Sequence, residues 1–119
     1  MSDTTTTIQE LRDAMARFVR ERDWEQFHSP KNLAMGMAIE AAELMEHFLW
    51  IDAETSRRIA GDPGKLGAVA DEMADVACYL LAMSNMLGVD LSQAIRAKLV
   101  KNAAKYPADQ VRGRYSLED

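Results

Sequence analysis

Residues 30–51 constrain the fold more than any other stretch of this chain. Ser29 suits a helix N-cap and Pro30 the first helical position, where the N–H that proline lacks has no intrahelical partner to lose. From there Met35, Met37, Ala38, Ala41, Ala42, Leu44, Met45, Phe48 and Leu49 recur at helical spacing and cover a wide arc of one helix running to about Ile51. Asn32, Gly36, Glu40, Glu43, His47 and Trp50 share the narrow remainder. A helix this apolar needs neighbours on several sides. A chain of 119 residues has room for one compact core, so the expectation is a single domain over 1–119 whose helices are covered in part by another copy of the chain.

The other elements follow from caps and stripes. Thr7 and Glu10 form a capping box that starts a first helix, expected to end near Asp23, with Ile8, Leu11, Met15, Phe18 and Val19 as its apolar stripe. Residues 52–64 read as a polar connection with one helical turn before Gly61-Asp62-Pro63-Gly64 breaks it. A third helix is predicted from about Lys65 to Leu87, stopped by Gly88. Asp90 and Gln93 cap a fourth that ends near Lys105, before Pro107. No strand pattern is present. The predicted fold is therefore all-α, four-helix and bundle-like, completed by homo-oligomerisation, with flexible tails at 1–6 and 107–119.

Net charge excludes several functions. At −5, with a pI near 5.0, the chain has no broad surface for a nucleic-acid polymer or an anionic membrane. Cys78 is the single cysteine, so neither a disulfide framework nor a multi-cysteine zinc site is available. The polar start, MSDTTTT, is unlike a signal peptide, and no run reaches the roughly 18 apolar residues of a membrane span. A cytoplasmic protein is expected.

The chemistry lies in two acid pairs. Glu40-Ala-Ala-Glu43 and Glu72-Met-Ala-Asp75 each place two carboxylates on one side of a helix that is otherwise apolar. Either pair alone is compatible with a solvated face. Together, on helices with little polar surface to spare, they suggest a site for Mg²⁺, which takes hard oxygen ligands and leaves positions for phosphate and water. A di-iron site would need Glu-x-x-His, whereas His47 lies four residues after Glu43. Lys98, Asn102 and Lys105 form a basic stripe on the fourth helix, suited to a polyphosphate. Trp24, Phe27, His28, Trp50 and Tyr79 offer planes on which a nucleobase can stack, and His28 or Asn32 can bond its edge. No phosphate-binding glycine loop of the P-loop or dinucleotide type occurs.

These residues resemble the paired motif of the MazG-like, all-α nucleoside triphosphate pyrophosphohydrolases. Four ordered blocks, WEQFHSPKNL at 24–33, EAAELMEHFLW at 40–50, DEMADVACYLL at 71–81 and KLVKNAAKYP at 98–107, are similar to the dCTP pyrophosphatase branch. The resemblance implies Mg²⁺-dependent (alternatively Mn²⁺-dependent) hydrolysis of dCTP or a modified dNTP to the monophosphate and pyrophosphate. It also implies a homo-oligomer, typically a tetramer built from dimers. It assigns the metal to Glu40, Glu43, Glu72 and Asp75, and substrate contacts to Trp24, His28, Lys31, Asn32, Trp50, Tyr79, Lys98, Asn102, Lys105 and Tyr106. Glu43 or Glu46 is the expected general base. An all-α dUTPase, a broader NTP hydrolase and a non-catalytic nucleotide- or metal-binding module stay open as alternatives.

Overall fold

The computed structural model describes residues 1–115. All regular structure among them is helical: α1 (Ile8–Glu21), a 3₁₀ turn (Glu25–Phe27), α2 (Pro30–Glu46), α3 (Ala53–Arg57), a second 3₁₀ turn (Ile59–Gly61), α4 (Pro63–Leu87), α5 (Leu91–Lys105) and α6 (Ala108–Val111). The contacts divide the chain into two compact units, Met1–Gly88 and the remainder from Val89.

Within the first unit α4 is central and packs against both α2 and α1. Val19, Leu33, Ile59, Val69 and Ala82 are the buried apolar residues, with Leu33 only 1% exposed. Arg12 ties α1 to α4: its Nε donates to Asn85 Oδ1 at 3.0 Å, and Asn85 Nδ2 donates back to the Arg12 carbonyl at 3.0 Å. Because Asn85 is a neutral amide, this link fixes register between the helices without burying an ion pair.

Local chemistry sets each helix end. Thr7 and Glu10 make the reciprocal capping box. At the other end of α1, Asp23 N–H donates to Arg20 O and Trp24 N–H to Val19 O, the two bonds of a Schellman motif. Asp23 supplies its left-handed residue, at φ 53°, where glycine is usual. That turn brings the chain out of α1 with Trp24 against the Phe18 ring, centroids 5.8 Å apart in an edge-to-face contact.

Two boundaries differ from the sequence reading. The second helix stops at Glu46, and residues 47–51 form successive tight turns in which His47 N–H reaches Leu44 O and Phe48 N–H reaches Met45 O. Asp52 is already the N-cap of α3, its carboxylate accepting from Thr55 N–H at 2.7 Å, so the backbone must leave the helical path before it. The apolar run through Trp50 had hidden this exit. In the other case Asp62-Pro63 ends the helical turn before it, as expected, but also begins the next helix, two residues ahead of the start expected at Lys65. Asp62 caps Lys65 N–H and Pro63 occupies the first position of α4.

The second unit holds α5, capped by Asp90 on Gln93 N–H at 2.9 Å, and α6, a single turn within the segment expected to be a tail. The end of that segment, 116–119, lies outside the described residues. At the other terminus, Ser2 and Thr5 close a hydrogen-bonded turn before α1.

Candidate active site

Packing of α2 on α4 brings the two acid pairs face to face. Glu40, Glu43 and Glu72 each present a carboxylate oxygen such that the three lie within 4.8 Å of one another. Glu40 and Glu72 are half-buried, and one oxygen of each, Oε2, is shut off from solvent without any hydrogen-bond donor. Asp75, one turn along α4, faces the same group closely enough for its charge to act on Glu40.

The consequence is visible in the acidity of Glu40. Its pKa is pushed up from about 4.5 to about 7, first by desolvation, then by a hydrogen bond and the charge of Glu43, by Glu72 and by Asp75. Carboxylates so close cannot all ionise without a compensating cation. Two orphaned, inward-facing oxygens and an all-oxygen donor set fit a hard divalent ion such as Mg²⁺. They do not suit a soft-metal centre, because Cys78 stands apart from the cluster, its thiol held protonated by burial and by the nearby Asp75 charge.

A cleft of about 390 Å³ opens beside these acids. Met15, Phe18, Trp24, His28, Glu40, Asp75, Cys78 and Tyr79 line it, so carboxylates and aromatic planes share one cleft. A second cleft of about 250 Å³ is lined by Trp24, Phe27, His28, Asn32, Leu33 and Tyr79. Trp24, His28 and Tyr79 border both. Asn32 is held in place by donating its side-chain Nδ2 to the Phe27 carbonyl at 3.1 Å.

Other residues singled out from the sequence are placed differently. Glu46 is exposed at the end of α2, and Lys31 is exposed in its first turn. Trp50, 93% exposed in the turns after α2, lines neither cleft. Lys98, Asn102 and Lys105 lie on α5 in the second unit; Asn102 is half-buried, and Lys105 Nζ sits 5.3 Å from the ring centre of Tyr106. Met15 and Phe18, read from the sequence only as part of an apolar stripe, and Cys78, given no site role there, all line the larger cleft. Helical spacing marks which residues face a neighbouring helix but not whether the two surfaces close or leave a gap.

An all-helical fold in which one acid of each pair, Glu40 and Asp75, lines an aromatic cleft belongs to a known class of proteins: the MazG-like family model matches residues 36–116. The chain belongs to the MazG-like family. It is 40% identical over 108 residues to dCTP pyrophosphatase 1 of Rattus norvegicus and 37% identical over 113 residues to that of Homo sapiens. Those matches cover 90% and 89% of this chain, which spans just under two thirds of the length of the relatives, 63% and 62%. Among solved structures it resembles a pyrophosphatase from Archaeoglobus fulgidus, with a TM-score of 0.76 and 34% identity over 90% of this chain and 98% of that one. No helix among the described residues is long and apolar enough to cross a membrane.

Proposed function

We propose that this chain hydrolyses a nucleoside triphosphate, with dCTP or a modified dNTP as substrate, to the monophosphate and pyrophosphate in the presence of Mg²⁺, or Mn²⁺ in its place. The observation that carries the reading is the pair of buried, donorless carboxylate oxygens on Glu40 and Glu72 beside a cleft walled by Trp24, Phe18 and Tyr79. The similarity to dCTP pyrophosphatases supports this choice of base and of bond.

Glu40, Glu43, Glu72 and Asp75 would hold the cation. When bound, such an ion neutralises phosphate charge and acidifies a coordinated water. The nucleobase stacks among Trp24, Phe18 and Tyr79, with His28 and Asn32 at its edge. Water oxygen bonds to the α-phosphorus, the bond to the bridging oxygen breaks, and the proton passes to Glu43 or Glu46. Lys31, Trp50, Lys98, Asn102, Lys105 and Tyr106 complete the proposed substrate contacts. Incubation with Mg²⁺ and each of the four dNTPs and dUTP, followed by separation of products, tests the reaction. dCMP and pyrophosphate are expected; nucleoside diphosphate with orthophosphate, or no turnover of any nucleotide, overturns it.

We also propose that the chain works as a homo-oligomer, a tetramer built from dimers, with 1–119 acting as one functional domain in a reducing cytoplasm. Met35, Ile39, Met45 and Leu49 on or just after α2, and Met73 and Leu87 on α4, are each more than half exposed. Large apolar side chains left open in such number are the usual mark of an interface. Light scattering on the eluting protein is expected to give four times the 13.3 kDa chain mass; a monomer overturns this part.

A further inference from the structure

We infer that Gly36 is a positioning residue for the cleft: by lacking a side chain it lets Tyr79 lie against the backbone of α2, and so sets the room left for the nucleobase. This rests on the nucleotide reading of the cleft.

Gly36 lies mid-helix, where glycine is less favourable than alanine by about 1 kcal/mol, so its presence asks for a packing reason. The reason is Tyr79. A Cβ built on Gly36 would fall 2.6 Å from Tyr79 Cζ, closer than such atoms approach, and 3.0 Å from its hydroxyl oxygen, an unusually tight contact. The three side-chain atoms nearest to that Cβ all belong to Tyr79.

Tyr79 is also the wall where the two clefts meet. One turn before Gly36 on α2 stand Asn32 and Leu33, which line the smaller cleft; one turn after it stands Glu40, which lines the larger. The ring over Gly36 therefore sits at the border of both, with Asp75 one turn behind it on α4. A methyl group at position 36 cannot be absorbed by the α2 backbone, so the ring must swing off the helix and into the open space. The acids need not move. The change should therefore act on nucleotide fit rather than on the chemical step.

Gly36→Ala is expected to raise KM for the preferred dNTP about tenfold with kcat within about twofold, and to raise it further for purine than for pyrimidine triphosphates. A second readout needs no nucleotide. Cys78 lines the larger cleft and is the only thiol in the chain, so its rate of reaction with a maleimide reports where the neighbouring ring lies. Gly36→Ala should change that rate at least about threefold, and the same substitution in a Tyr79→Ala background should change it little, as expected when two contacting residues are coupled. Should Gly36→Ala alone fail to fold by circular dichroism, the double variant is expected to fold. Equal labelling rates in the wild type and Gly36→Ala, an equal effect with and without Tyr79, or a double variant that also fails to fold would overturn the inference. Loss of all turnover in the wild type would overturn the reaction instead and leave the labelling result standing.

Discussion

Replacing Glu72 by glutamine is expected to lower turnover of the proposed substrate by about 10³-fold while leaving the metal-free protein at least as heat-stable as the wild type above neutral pH. The two effects have opposite signs for one reason. Glu72 contributes negative charge to a cluster in which three carboxylate oxygens already lie within 4.8 Å, and its Oε2 has no donor. Without a cation that charge works against folding; with one it is the reason the cation binds. A residue that only packed or capped a helix would lose stability and activity together. Steady-state kinetics and thermal melts with and without Mg²⁺ separate the cases. The wild type should melt higher with Mg²⁺, since a ligand that binds only the folded state stabilises it, and Glu72→Gln should lose most of that increment. Wild-type turnover, or an undiminished Mg²⁺ increment, would argue that the acids are a solvated face.

Much of this was legible in the residues, and the failures have physical causes. Spacing of three puts Glu40 with Glu43, and Glu72 with Asp75, on common helix faces, and that follows from helical geometry alone. What spacing cannot give is which face of one helix meets which face of another; the packing of α2 on α4 supplies it. Caps were legible where the side chain bonds a nearby N–H, as at Thr7, Ser29 and Asp90. The end of α2 was not, because Phe48, Leu49 and Trp50 continue its apolar pattern past the point where Asp52 claims the backbone for another helix. Gly36 could be listed on the acid-bearing arc, but nothing in the sequence tells that Tyr79, more than 40 residues later, occupies the space a side chain would take.

The affinity for Mg²⁺ is expected to rise about tenfold per pH unit up to about pH 7 and to level off above it. Glu40 has a folded-state pKa of about 7, above its ordinary value of 4.5. A raised pKa means that the folded chain holds this proton more tightly than the unfolded chain does. Its contribution to stability is therefore full below pH 4.5 and is lost as pH rises through 7. A cation that takes the Glu40 oxygen as ligand must displace that proton. Below pH 7 each bound ion releases close to one proton, which fixes the slope; above it the carboxylate is already ionised and the slope vanishes. The increment in melting temperature from a fixed Mg²⁺ concentration should accordingly be small at pH 5.5 and large at pH 8. Calorimetric Mg²⁺ titrations at pH 5.5, 6.5, 7.5 and 8.5, repeated in two buffers of different ionisation enthalpy, count the released protons directly. An affinity flat across that range, with no proton release at pH 5.5, would mean that Glu40 is not a ligand. Glu40→Gln should then behave as the wild type does, whereas with Glu40 as ligand it should bind weakly at every pH and lose the slope.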